Sequence, residues 1–164
     1  MNQYAEHLSS IVLEPHHIVA TSGTCHRNPG PGGWGAVIFD LVGQCLYEED
    51  ELFGANWTTT NNVMELTAAA KALAAIEDVH SPIVVTSHSQ YLVKGMTEWV
   101  AQWRERNWRR ADGKPVTNRE QWQAILDAVG ERNVLWKWLP EEEARSENER
   151  ATLLAKLALN RMLT

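Results

Sequence analysis

Cysteine, long apolar runs and excess positive charge are all scarce in this chain. It has only two cysteines, Cys25 and Cys45, and their spacing is not that of a metal site, which excludes a disulfide-stapled scaffold or a zinc ribbon. Reduced thiols are the expectation, with one Cys25–Cys45 disulfide as the alternative. No apolar run reaches the roughly 18 residues that span a membrane. A net charge of −6 argues against a generally basic nucleic-acid binder.

Length and composition predict a single globular domain. A chain of 164 residues can bury a core without help from disulfides or metals, and 44% hydrophobic residues is ordinary for such a domain. We expect residues 1–15 to be a weakly ordered extension and residues 16–164 to form the domain. The start lacks the basic stretch and apolar run of a secretory signal, which favours a cytoplasmic protein.

The charge is unevenly distributed along the chain. Residues 104–119 carry six basic and two acidic side chains, whereas residues 139–149 carry five acidic side chains and one basic. The basic segment suits contacts with phosphates. The acidic loop 141–149 would repel phosphates, so it either narrows the choice of nucleic acid, faces a basic partner, or is simply solvated.

Periodicity predicts the element order βββαβα…αβα. Two apolar stretches around a turn at Val42-Gly43 follow a first strand, giving an antiparallel meander. A helix with a threonine or asparagine N-cap comes next, and then a short apolar strand of the kind that is buried on both faces. The second half is mostly helical, with a break expected at Gly95 and an N-cap at Asn118, around a last strand near Trp136.

The sequence resembles the ribonuclease H type 1 family from His17 to about Leu163. The resemblance is carried by seven words in family order: "NPGPGGWGA", "TTNNVMEL", "SQYLVKGMTEWVAQW", "NWRRADGKPVTN", "WQAILDA", "WKWL" and "ENERATLLA". It implies an α/β fold, a five-stranded mixed sheet with antiparallel β1–β3, then parallel strands, and helices on both faces. It also implies cleavage of the RNA strand of an RNA/DNA hybrid with two Mg²⁺ ions.

The resemblance also shows where this chain departs from the family. The family's four metal-binding carboxylates fall on Ser22, Glu65, His88 and Thr152, so only Glu65 retains a carboxylate. The family's mobile loop histidine falls on or near Glu142. Two-metal hydrolysis needs several carboxylates within about 4 Å, because Mg²⁺ prefers anionic oxygen ligands.

These substitutions predict a catalytically inactive protein that binds RNA/DNA hybrid or a related duplex, within a larger nucleoprotein assembly that includes protein partners. No catalytic residue, bound metal or cofactor is expected, and Mg²⁺ or Mn²⁺ would matter only if residual nuclease activity exists. His88 is then a polar residue at a strand end.

Three alternatives stay open. The chain could be a protein-interaction scaffold subunit. It could be an active ribonuclease H, an endonuclease on the RNA strand, or another hydrolase whose Ser22, His88 and Glu65 form an activated nucleophile. His88 and Glu65, with Glu142, could also bind a transition metal such as Zn²⁺.

The family's substrate-binding positions are largely retained. Polar residues fall on positions that contact the hybrid's backbone, sugars or bases, and a basic segment with two tryptophans matches the protrusion that grips the DNA strand. The alternative is that the tryptophans pack helices together and the charges form a solvated face. The predicted nucleic-acid-binding residues are Asn28, Thr60, Asn61, Asn62, Gln90, Trp103, Arg104, Arg106, Trp108, Arg109, Arg110 and Lys114.

Overall fold

The computed structural model describes residues 16–143 and 145–164. Five strands form one sheet: β1 (His16–Cys25), β2 (Gly30–Val42), β3 (Cys45–Thr59), β4 (Ile83–Ser87) and β5 (Val134–Trp138). The helices are α1 (Asn61–Ala75), α2 (Gln90–Lys94), α3 (Val100–Glu105), α4 (Arg119–Val129) and α5 (Ser146–Leu163). A π-helical turn (Gly95–Trp99) joins α2 to α3, and a 3₁₀ turn (Glu141–Glu143) precedes α5. The predicted extension over residues 1–15 lies outside the described residues.

The sheet has the strand order β3-β2-β1-β4-β5. β1 to β3 are antiparallel neighbours, and the β2–β3 turn at Gly43 has a φ of 64°, which suits glycine. β4 runs parallel to both β1 and β5. The predicted five-stranded mixed sheet is therefore confirmed, with the antiparallel meander and the parallel strands in their expected places.

Helices pack on both faces of the sheet because strand residues alternate in direction. Val19 of β1 belongs to the larger core, with α1 and α4, whereas its neighbour Ala20 packs against α5. The approach of α5 to β2 is close, since a Cβ at Gly35 would lie 2.8 Å from both Ala155 N and Leu154 Cβ. The alternation of β1 thus lets one sheet support two helical layers.

The predicted N-cap of α1 is Thr60, whose hydroxyl accepts a hydrogen bond from Val63 N at 3.1 Å. Asn118 precedes α4 as expected, but its side chain donates to the Tyr91 hydroxyl at 3.1 Å and does not cap the helix. Its φ of 62° places it in the left-handed region that asparagine tolerates.

Gly95 does not break the helix as the sequence predicts. The chain continues through the π-helical turn, and the reason for glycine is space, because the ring of Trp122 lies directly against its Cα. Tyr91 and Trp103 contact the same indole, and Trp99 packs against both of these rings. Gly95 is thus a packing residue, not a helix terminator.

Two further features bear on the sequence predictions. Cys25 and Cys45 are both free thiols, so the disulfide alternative is excluded. No helix within residues 16–143 and 145–164 combines the length and apolar character needed to cross a bilayer.

Candidate active site

Ser22 and Thr152 meet at the centre of the candidate site. Ser22 lies near the end of β1 and is buried, whereas Thr152 is in the second turn of α5 and partly exposed. The Thr152 hydroxyl donates to Ser22 Oγ at 3.0 Å. Two positions that carry carboxylates in the resembled family are thus joined by a hydrogen bond between neutral groups.

Glu65 is the retained carboxyl group, and it stands in the first turns of α1. Burial raises the pKa of Glu65 to about 8, although hydrogen bonds from the Gly23 backbone N–H and the Ser87 hydroxyl lower it. Its Oε2 atom is shielded from solvent without a hydrogen-bond partner. The carboxyl group is therefore mostly protonated at neutral pH and carries little negative charge.

Replacing Glu65 with glutamine is expected to stabilise the protein at pH 8 but not at pH 5. In the unfolded chain the Glu65 carboxyl group has its ordinary pKa of 4.5 and loses its proton above that pH. In the folded protein it keeps the proton until about pH 8. The free energy of unfolding therefore falls as pH rises through this window. The glutamine amide does not titrate in this range. At pH 8 the free energy of unfolding of Glu65→Gln should therefore exceed that of the wild type by on the order of 2 kcal/mol.

Urea unfolding at both pH values measures this effect. Glu98→Gln, at an exposed position of the π-helical turn, is the matched control and should show no such difference. Identical pH dependence in wild type and Glu65→Gln would contradict the assignment.

His88 follows β4 directly, and its ring is oriented by the neighbouring strand. His88 Nδ1 lies 2.6 Å from the backbone oxygen of Leu139, the residue that follows β5. The Trp138 indole in turn donates to the His88 backbone oxygen at 3.1 Å. Because a carbonyl oxygen only accepts, Nδ1 carries the hydrogen and Nε2 of the neutral ring is left as a proton acceptor.

A cavity of about 520 Å³ opens beside His88 and Thr152. Its walls also include Leu153 and three charged residues, Glu141, Glu149 and Lys156. The predicted loop residue Glu142 is exposed in the 3₁₀ turn, and its neighbour Glu141 lines the cavity instead.

Sequence reasoning missed Lys156, Ser87 and the Leu139 carbonyl as site groups. Helical spacing could have identified Lys156, because it lies one turn after Thr152 on the same face of α5. A backbone carbonyl leaves no such signal in a sequence.

The site does not fit a pair of Mg²⁺ ions. At the four positions where the family has carboxylates, it offers one carboxyl group, which is mostly protonated, two hydroxyls and one imidazole, whereas Mg²⁺ requires anionic oxygen ligands. Within the described part of the chain, the one convergent group of three histidine, cysteine or acidic side chains does not include any of these residues. The Zn²⁺ alternative at His88, Glu65 and Glu142 therefore has no assembled ligand set.

The hydrogen bonds also differ from those of a Ser–His–carboxylate triad. In the described residues Ser22 bonds to Thr152, His88 to a carbonyl, and Glu65 to Gly23 and Ser87. A triad requires the serine to bond to the histidine and the histidine to the carboxylate. Ser22 is therefore not an activated nucleophile in this arrangement.

The retained polar positions lie next to the site. Asn28 Oδ1 accepts a hydrogen bond from Asn61 N at 3.1 Å, which ties the loop before β2 to the start of α1. Asn62 and Gln90 are exposed at the starts of α1 and α2. These amides and Thr60 are thus held at helix termini near the carboxyl ends of the central strands.

The charged side chains of the basic segment are exposed, whereas its two tryptophans are buried or partly buried. Arginine and lysine side chains at five predicted positions are exposed to solvent: Arg104, Arg106, Arg109, Arg110 and Lys114. Trp108 is only 8% exposed and belongs to the main core, and Trp103 packs against that core. The packing alternative describes these two rings better than stacking on bases, since Trp108 is buried and Trp103 packs against three other tryptophan rings.

Comparison with known proteins identifies the family of this chain. The RNase H family model matches residues 14–160. A ribonuclease H of Bordetella pertussis is 47% identical over 137 residues, which are 82% of this chain and 83% of that protein. One of Afipia carboxidovorans is 44% identical over 150 residues, or 90% of this chain and 96% of that protein.

Solved structures agree with the sequence relatives. LC9-RNase H1, described as a type 1 RNase H with the type 2 active-site motif, is 29% identical with a TM-score of 0.79 over 90% of this chain and 73% of that one. LC11-RNase H1 in complex with RNA/DNA hybrid is 27% identical with a TM-score of 0.68 over 90% of this chain and 99% of that one.

The expectation of a catalytically inactive protein is wrong in the light of these relatives. Proteins 41–47% identical over most of the chain are named Ribonuclease H, and this finding favours the active alternative. The inference from lost ligands to inactivity was too strong. Loss of Mg²⁺ ligands removes one catalytic arrangement, but it does not remove every group that can transfer a proton. The chain belongs to the RNase H family.

Proposed function

We propose that this protein is a ribonuclease that cleaves the RNA strand of RNA/DNA hybrids through a remodelled site centred on His88. The observation that carries the proposal is the 41–47% identity, over most of the chain, to proteins named Ribonuclease H. The altered site residues then require chemistry that does not depend on the family's carboxylate cluster.

Substrate binding is supported by the retained polar positions and by the relative in complex with hybrid. LC11-RNase H1 is that relative, and it shares the fold over 90% of this chain. The amides of Asn28, Asn62 and Gln90 would contact the backbone and sugars, and the exposed side chains of residues 104–114 would contact phosphates of the DNA strand. Trp103 and Trp108 support this segment from the core.

The RNA strand supplies its own nucleophile. Its 2′-hydroxyl, which DNA lacks, can attack the adjacent phosphorus, so neither an activated serine nor a metal-bound water is needed. His88 Nε2 would accept the 2′-hydroxyl proton, because the Leu139 carbonyl holds the hydrogen on Nδ1. The bond from phosphorus to the 5′-oxygen breaks, that oxygen takes a proton from water, and the products are a 2′,3′-cyclic phosphate and a 5′-hydroxyl end.

The remaining site groups would position the phosphate. Lys156 is the cation in the cavity and would balance the charge of the phosphate, while the acidic side chains of Glu141 and Glu149 exclude poorly aligned backbones. The linked hydroxyls of Ser22 and Thr152 and the protonated Glu65 add hydrogen-bonding groups without negative charge. These three uncharged groups do not repel an anionic substrate.

Cleavage of an end-labelled RNA/DNA hybrid in EDTA tests the proposal. We expect the RNA strand to be cut in EDTA at a rate within about threefold of that in Mg²⁺, with cyclic phosphate ends. A duplex with 2′-deoxy residues at the cleaved positions should stay intact, because it has no internal nucleophile.

Two other results would separate the parts of the proposal. Cleavage that requires Mg²⁺ or Mn²⁺ and is lost in Glu65→Gln would preserve the ribonuclease activity but overturn the remodelled chemistry. No cleavage under either condition would overturn the ribonuclease activity itself.

A further inference from the structure

We propose that the protein has a second site, which binds a divalent transition-metal ion of the Zn²⁺ class through His17 Nδ1, Asp40 and Glu49. One ligand atom from each of these side chains lies within 4.8 Å of the other two. His17 is near the start of β1, five residues before Ser22, so roughly 16 Å of strand separates it from the candidate active site. The two sites are therefore at opposite ends of the sheet.

The buried imidazole of His17 is the strongest evidence. His17 is only 6% exposed, and its Nδ1 atom lies 2.6 Å from Asp40 Oδ1 and 3.2 Å from Glu49 Oε2. Neither carboxylate lies where an Nδ1–H could donate to it, so Nδ1 is buried without a hydrogen bond. Such a nitrogen is costly unless something satisfies its lone pair. A cation placed among the three atoms would do so.

Asp78 fixes the other side of the ring. His17 Nε2 lies 3.2 Å from Asp78 Oδ2, and Asp78 Oδ1 accepts hydrogen bonds from the backbone N–H groups of His80 and Ser81. A carboxylate on Nε2–H leaves Nδ1 as the metal-binding nitrogen and makes it a better ligand.

The backbone directs the three ligands to one place. His17 and Asp40 are opposite each other in the β1–β2 register. In the β2–β3 register Ile38 faces Asp50 and Phe39 faces Glu48, so Glu49 is the extra residue of a β-bulge. A bulge turns a side chain away from the regular alternation, and here it brings Glu49 to the same face as Asp40.

The ligand chemistry indicates the type of ion. One imidazole and two carboxylates suit Zn²⁺ and similar ions, and the two negative charges balance the dication. Ligands of a tetrahedral Zn²⁺ lie roughly 3.4 Å apart, so Asp40 and Glu49 would move outward by less than 1 Å. Both side chains are about two-fifths exposed, 43% and 42%, which permits that movement and leaves an entry path for the ion.

Isothermal titration of Zn²⁺ into the full chain, purified with a chelator and then dialysed, tests this site. We expect one ion per chain, with affinity reduced at least about tenfold in both Asp40→Asn and Glu49→Gln. Both positions are partly exposed, so these variants should fold, whereas His17→Ala would leave a hole in a buried region. Zn²⁺ should raise the Tm of the wild type, and the rise should be lost in both variants.

Two control variants test for binding elsewhere. His80→Ala removes an exposed histidine near the site, and Cys45→Ser removes an exposed thiol; both should bind Zn²⁺ as the wild type does. The site is overturned if no ion binds with one-to-one stoichiometry, or if Asp40→Asn or Glu49→Gln retains wild-type affinity.

Discussion

His88→Ala is expected to reduce cleavage of the RNA strand by at least about 100-fold, which is the usual contribution of a positioned general base. The methyl group of alanine cannot accept the 2′-hydroxyl proton. Among the described residues that line the cavity, His88 is the one imidazole, and its Nε2 is the nitrogen left free to accept that proton. The affinity for the hybrid should change little, because the proposed binding groups are the retained amides and the basic segment, and His88 is not one of them. Single-turnover cleavage and a separate binding titration measure the two effects.

The pH dependence distinguishes a base from a structural residue. The pH–rate profiles of the wild type and of His88→Ala should differ in shape, because only the wild type has the proposed base. His80→Ala replaces an exposed histidine away from the cavity and serves as the control. If His88→Ala cleaves within about threefold of the wild type, His88 does not act as the base.

Gly95→Ala is expected to lower the free energy of unfolding by about 3 kcal/mol or more, the upper end of the cost of overpacking a core. An added Cβ would lie 2.6 Å from Cζ3 and 2.7 Å from Cζ2 of Trp122, with Cη2 closer still. Trp122 is fully buried among Tyr91 and Trp103, so its ring has no space into which to move. Urea unfolding followed by tryptophan fluorescence measures the loss.

A second glycine separates this steric effect from a general cost of removing glycine. In Gly43→Ala the added Cβ has no atom within 4 Å, and the cost comes only from holding alanine at a φ of 64°. The free energy of unfolding should therefore fall by about 1 kcal/mol. The loss in the double variant Gly95→Ala/Trp122→Leu should be smaller than the sum of the two single losses, because the smaller side chain makes room for the added methyl group. Equal losses in Gly95→Ala and Gly43→Ala would contradict the packing explanation.

Local patterns identified most elements of this fold. The apolar stretches of β1, β2 and β4, the N-cap at Thr60 and the turn at Gly43 all follow from residue types that have one strong local preference. The prediction at Gly95 was wrong because a glycine inside a helical pattern usually indicates a break in the helix. Its reason is a ring that lies 27 residues further along the chain, and local propensity does not contain that information.

The candidate site was only partly predictable for a similar reason. The positions of Ser22, Glu65, His88 and Thr152 followed from the resemblance, and the structure joins the Ser22 and Thr152 side chains by a hydrogen bond. The prediction of inactivity gave most weight to the lost metal ligands, and the relatives named Ribonuclease H contradict it in favour of the active alternative. The partner of His88 Nδ1 is a backbone oxygen, which every residue carries and no sequence pattern marks.

The sequence by itself determined the order of strands and helices, the family and the loss of three carboxylates from the site. These properties depend on side-chain type and on the spacing of neighbours along the chain. The protonated state of Glu65, the orientation of the His88 ring, the burial of Trp108 and the meeting of His17 with Asp40 and Glu49 were decided by tertiary structure. Each of them depends on solvent exclusion or on contacts between distant segments, because burial and electrostatic interaction are set by distance in space.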